Sequence, residues 1–123
     1  MSFQDLSYRV IGCAIEVHQY LGPGLLESAY EKCLVYELSK NNIPFQQQLA
    51  LPIQYKSMEI DCAYRLDFVI AKELILELKS VNHLTAIHQA QILTYMKLAN
   101  ISTGLLINFN ELILKNGIKG FKI

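Results

Sequence analysis

The chain has 123 residues, 52% of them apolar and only 18% charged, and its eleven basic and eleven acidic side chains cancel. That length fits one domain, residues 1–123, with one core that needs no disulfide or metal staple. The charge balance excludes a strongly basic, passive nucleic-acid binder, but not a metal enzyme, because a bound cation brings positive charge that no residue count contains.

In chain order, Ser2 and Asp5 are candidate caps for a helix with Leu6, Val10, Ile11, Ala14, Val17 and Leu21 at helical spacing. Gly22-Pro23-Gly24 should end it, since glycine suits the position after a helix and proline cannot continue the ladder. A second helix follows with Leu26, Tyr30, Cys33 and Leu34 as its apolar stripe, ending at Asn41-Asn42 before Pro44. From Phe45 the period changes: Leu49, Leu51, Ile53 and Tyr55 alternate as in a strand with one buried face, and Pro52 points to an edge or a bulge. Lys56-Ser57 marks a turn. Ile60 to Ile70 and Leu74 to Ser80 read as two strands joined by Ala71-Lys72-Glu73, followed by a helix from Leu84 to Leu98 and an apolar strand from Thr103 to Phe109. The tail, Leu112 to Ile123, reads as a hairpin about Asn116-Gly117. The predicted order is α-α-β-β-β-α-β plus a short C-terminal β-hairpin. This is an α/β chain with a mixed central β-sheet flanked by helices and a right-handed crossover.

The apolar excess predicts either a dense core or a face kept for a second subunit, and a homodimer is expected on that ground. Cys13, Cys33 and Cys62 are odd in number, widely spaced and set among apolar residues, without CxxC or Cys/His ligand spacing. They read as buried free thiols of a cytoplasmic protein. The N-terminal segment lacks the apolar run of a signal peptide, and no apolar stretch reaches the length of a membrane span.

The chemistry concentrates in RLDFVIAKELILELKS. On the third strand Leu74, Leu76 and Leu78 point to one face and Ile75, Glu77 and Lys79 to the other. Two charges on one face of a central strand are expensive unless compensated. With a three-residue loop, Ile70 faces Leu74, Phe68 faces Leu76 and Asp67 faces Glu77. Opposed residues sit with Cβ atoms about 4.5–5.5 Å apart, so the two carboxylates repel unless a hard cation lies between them, and oxygen ligands are what Mg²⁺ prefers. Lys79, two residues on, reaches the same place. The competing reading is a solvated strand face on which Glu77 and Lys79 pair with each other. The geometry depends on the register, since a slip of one residue would break it.

Asp67 followed by Glu77-Leu78-Lys79 across a hairpin resembles the core signature of the PD-(D/E)XK nuclease superfamily. Gly24-Leu25-Leu26-Glu27-Ser28-Ala29-Tyr30 resembles the G-x-x-E-x-x-Y motif of the GxxExxY proteins, a small bacterial family assigned to that superfamily. Gln91-Ile92-Leu93-Thr94-Tyr95 resembles the Q-x-x-x-Y motif of its RecB-like branch. The resemblance runs from about Val10 to Ile107 and departs at Leu66, where the signature has proline.

It implies a restriction-endonuclease-like core and Mg²⁺- or Mn²⁺-dependent phosphodiester hydrolysis, with DNA ahead of RNA as substrate. Asp67, Glu77 and Glu27 would be metal ligands, Glu27 directly or through water, and the Leu78 carbonyl a further candidate. Lys79 would orient the attacking water or offset phosphate charge. Gln91 and Tyr95, four apart on one helical face, would support the site or touch substrate, and Tyr30 would support it by packing.

Other readings compete for single residues. Glu27 also suits a helix N-terminus for its charge alone, and Gln91 with Tyr95 could be an ordinary amphipathic pair. His18 reads as a surface residue, and His83 and His88 are five apart, wrong for two ligands on one helical face. Gly22-Pro23-Gly24 lacks the strand and lysine of a phosphate cradle. Two functional alternatives stand beside the nuclease: a noncatalytic interaction module on the same scaffold, and a Mg²⁺-dependent phosphodiesterase with a small substrate.

Overall fold

The computed structural model describes residues 3–61 and 64–123. Its elements are α1 (Phe3–Leu21), α2 (Glu27–Lys40), β1 (Phe45–Ala50), β2 (Ile53–Tyr55), β3 (Met58–Ile60), β4 (Arg65–Ile70), β5 (Leu74–Lys79), α3 (Ala86–Ala99), β6 (Thr103–Asn108), a 3₁₀ turn at Leu114–Gly117, and β7 (Ile118–Lys122). Five strands form the central sheet in the order β1-β4-β5-β6-β7, while β2 and β3 form a separate small hairpin. The pairing of β5 with β6 is parallel and the other three pairings are antiparallel. The sheet is therefore mixed and flanked by helices, as the sequence pattern predicts.

Each face of the sheet has its own core. Phe68, Ile70, Leu74, Leu76, Leu78, Leu105, Ile107 and Phe109 pack against α1 and α2. Leu66, Val69, Ile75 and Leu106 pack against Ile92 and Met96 of α3. The period-two alternation of β5 puts its leucines on the first face and sends Ile75 to the second, with Glu77 and Lys79 in the same phase. At Gly104 a Cβ would lie 2.7 Å from the Met96 sulfur, so glycine lets α3 approach β6 closely.

The helix boundaries follow local chemistry. Gly22 and Gly24 adopt φ of +73° and +94°, which turns the chain from α1 into α2. The stripe of α2 is Tyr30, Leu34 and Leu38. Cys33 is only partly buried, and Leu26, the residue before the helix, is 77% exposed. Asp5 lies inside the first turn of α1, whereas the proposed cap at Ser2 is outside the described residues. So is Cys62; of the other cysteines, Cys13 is buried and Cys33 partly so. His18 is buried rather than superficial, its Nε2 2.7 Å from the Glu111 carbonyl oxygen.

Three element boundaries differ from the sequence expectation. The strand expected to run on from Phe45 divides at Leu51-Pro52, because proline cannot donate to a ladder, and its second half pairs with β3 about the Lys56-Ser57 turn. The long strand expected from Ile60 is shared between β3, which pairs with β2, and β4, which belongs to the main sheet. The tail does not fold on itself. Leu114 is buried in the 3₁₀ turn, and β7 pairs with β6, covering an edge that would otherwise be open. Among the described residues no helix is long and apolar enough to cross a membrane.

Candidate active site

The β4–β5 hairpin has the predicted three-residue loop, with Ile70 opposite Leu74, Val69 opposite Ile75 and Phe68 opposite Leu76. Backbone pairing stops there. In place of a further rung, the Leu78 N–H donates to Asp67 Oδ2 at 2.9 Å and the Asp67 N–H donates to Glu77 Oε1 at 3.4 Å. The two carboxylates therefore stand against each other, each bonded to the other strand's backbone.

Glu77 is 5% exposed. Burial above all, then the negative charge of Asp67 and a carboxyl–carboxyl hydrogen bond with it, push its acid up to about 9, against smaller opposing effects of the Asp67 N–H and Lys79. Burial and the Asp67 carboxylate both favour a proton kept on Glu77, which would offset the repulsion within the pair.

Lys79 is half-buried and points toward α3, where its Nζ donates to Gln91 Oε1 at 3.1 Å. Gln91 Nε2 in turn donates to the Tyr95 hydroxyl at 3.2 Å. Lys79, Gln91 and Tyr95 thus form one hydrogen-bonded chain. Burial chiefly, then the charge of Glu77, raises the Tyr95 phenol, which also sits in a tilted ring contact with Tyr64 at 6.2 Å.

Glu27 is the first residue of α2, where negative charge suits the helix dipole, and it also accepts a hydrogen bond from the Ser80 backbone. Partial desolvation raises its carboxyl most, Lys79 lowers it, and Asp67 raises it again. Its carboxyl thus feels the charges of the same lysine and aspartate. Tyr30, wholly buried, supports this arrangement: its hydroxyl donates to the Gly22 carbonyl at 2.6 Å, accepts from the Leu25 N–H at 3.1 Å, and its ring stacks on Phe109 at 4.5 Å. The Ser80 hydroxyl donates to the Leu25 carbonyl at 2.6 Å, docking the start of α2 on the end of β5.

The structure thus brings Asp67, Glu77, Lys79, Gln91 and Tyr95 together from three elements, with Glu27 approaching from a fourth. Sequence reasoning missed Asn108, fully buried next to Lys79 in the β5–β6 register. Its Oδ1 accepts from the Val81 N–H at 3.0 Å and its Nδ2 donates to the Val81 carbonyl at 2.9 Å, fixing the chain just beyond Lys79. An asparagine ending an apolar strand was the available signal.

Among the described residues no group of three or more His, Cys, Asp or Glu side chains is close enough to hold a metal ion. The Asp67–Glu77 pair still fits a hard divalent cation in its chemistry. It is an all-oxygen donor set, its two carboxyl groups repel at close range, and its neighbouring ammonium is engaged by Gln91.

Compared with known protein families, the chain matches the model of the PD-(D/E)XK nuclease superfamily over residues 4–121. No curated protein and no solved structure matches it significantly.

Proposed function

We propose, on the premise that this chain belongs to the PD-(D/E)XK nuclease superfamily, that it is a divalent-metal-dependent nuclease cleaving phosphodiester bonds, with DNA as the first substrate to test and RNA the second. The observation that carries the reading is the buried Glu77 pressed against Asp67, with a lysine two residues on in the same strand. Burial and a neighbouring carboxylate both disfavour the ionised form of Glu77, and strongly perturbed acids of this kind concentrate at reactive sites. The likeness of Gly24 to Tyr30 to G-x-x-E-x-x-Y, and of Gln91 and Tyr95 to Q-x-x-x-Y, supports assigning it further to the GxxExxY proteins of the RecB-like branch.

Asp67 and Glu77, assisted by Glu27, would hold Mg²⁺ or Mn²⁺, which supplies Lewis acidity and offsets phosphate charge. The other steps belong to the chain. Lys79 has three ammonium protons, and Gln91 Oε1 takes one of them. The remaining two are free to face a phosphate oxygen or the attacking water. Tyr95, through Gln91, fixes the direction in which the ammonium points. Asn108 and Ser80 hold the end of β5 so that Lys79 and Glu27 keep their spacing.

The test is a metal-titrated cleavage assay on mixed DNA and RNA, with Lys79→Ala as control. Loss of one preorganised stabilising group costs about 10²–10³ in rate, so turnover should fall by that factor while the fold survives. Full cleavage by the Lys79→Ala protein, free of contaminating nuclease, would overturn the mechanism. Absence of cleavage by the wild type with either metal, together with unchanged metal binding in Asp67→Asn, would favour a noncatalytic interaction module.

A further inference from the structure

Two neighbouring glutamines on β1 reach the same carboxylate. Gln47 Nε2 donates to Glu31 Oε2 at 2.6 Å, and Gln48 Nε2 lies 3.0 and 3.2 Å from the two Glu31 oxygens. Consecutive residues of a regular strand point to opposite faces, so extended backbone alone does not produce this arrangement. Gln48 has φ of +51°, in the left-handed region that residues with a Cβ avoid.

The two cores show what that turn does. Before it, Phe45 and Phe68 pack on the α1–α2 side of the sheet; beyond it, Leu49 and Leu66 pack on the α3 side. The pairing itself does not slip, since Gln47 still faces Phe68 and Leu49 still faces Leu66. Both strands change face together, at the one position within this ladder where no pairing forms, Gln48 opposite Asp67. Asp67 therefore stands at the crossing, against Glu77. The Gln48 amide nitrogen is also 3.4 Å from Asp67 Oδ1, so a single amide spans the carboxylates of Glu31 and Asp67. Arg65 Nη1 donates to the Gln48 carbonyl at 3.4 Å and braces the turn.

We propose that Gln48, anchored by Glu31, is the positioning residue of the Asp67 carboxylate, and that the left-handed turn in β1 delivers its amide there. The inference rests on the metal-site reading above and adds to it a residue that neither the D…E-x-K signature nor the helical motifs contain. With the Leu78 N–H on Oδ2 and the Gln48 amide on Oδ1, the plane of the Asp67 carboxylate is fixed from both ends. A neutral amide suits this task. Lysine or arginine in its place would compete with a cation for the same oxygens, whereas an amide offers two protons to two anions without cancelling their charge.

Three variants test the proposal. Gln48→Gly removes the amide and relieves the positive φ; Gln48→Met keeps the length and removes the donors; Glu31→Gln removes the anchor. Mn²⁺ alone is the probe. Binding measured by calorimetry should weaken about tenfold in the two Gln48 variants, the low end of what partners behind a metal ligand contribute. The glycine variant should meanwhile unfold at no lower a temperature than wild type. A merely structural glutamine would do the reverse, and unchanged Mn²⁺ affinity in both variants would overturn the proposal. A second readout needs no metal: the Gln48 side-chain amide resonances should shift in Asp67→Asn and in Glu31→Gln. If wild type bound no Mn²⁺, the metal-site reading would fail by itself. The resonances would then decide the positioning role, upheld if they move in both variants and refuted if they move in neither or in only one.

Discussion

Between about 4.5, where a carboxyl ordinarily titrates, and about 9, where burial and Asp67 have pushed Glu77, the folded metal-free chain holds a proton that the unfolded chain has released. The folded state then binds more protons than the unfolded one, so this residue's contribution to stability is complete at low pH and is lost as pH rises. Stability of the chelated wild type should therefore fall, relative to Glu77→Gln, by roughly 4 kcal/mol between about pH 5 and pH 8. Denaturant melts of the two proteins at both pH values check this, and parallel profiles would show that Glu77 ionises normally. The contact between Asp67 and Glu77 was legible in the sequence because a three-residue loop and strict alternation fix the register. The retained proton was not, since it depends on how completely other segments bury Glu77. Gln48 gave no local signal at all: glutamine has no preference for the left-handed region, and only the tertiary demand of two cores puts it there.

Helix α3 carries Gln91 and Tyr95, and its start sets where they sit. Thr85 caps it: the His88 N–H donates to Thr85 Oγ1, and the Thr85 N–H donates to His88 Nδ1 at 3.0 Å, a reciprocal capping box. Apolar spacing alone put the start at Leu84, because histidine is not the usual third residue of that motif. Thr85→Ala should cost about 1 kcal/mol of stability, read by denaturant unfolding, while Thr85→Ser should cost far less. Equal losses in the two would mean that the hydroxyl is not the cap. The strands show the converse limit. β5 was legible from the alternation of its leucines with Ile75, Glu77 and Lys79, and β6 from a short apolar run buried on both faces. Periodicity merged β1 with β2 because Leu49, Leu51, Ile53 and Tyr55 keep one phase across Pro52, although the two segments belong to different sheets. Asn116-Gly117 is a good hairpin turn in isolation, but the open edge of β6 recruits the tail instead.

At the scale of the molecule, two apolar cores lie on either side of one sheet, and the acidic pair sits where β1 and β4 pass from one core to the other. Net charge is zero, so the local arrangement matters more than the total: Asp67 stands against Glu77, and the Gln48 amide links it to Glu31. We propose that a proton on Glu77 offsets the repulsion of this pair in the metal-free chain and that a divalent cation takes its place. The direct measurement is a calorimetric Mn²⁺ titration near neutral pH in two buffers of different ionisation enthalpy. The account predicts release of about one proton per ion bound, because the carboxyl that must ionise is Glu77, and markedly weaker binding in Asp67→Asn. Binding that releases no proton and is indifferent to Asp67→Asn would contradict it.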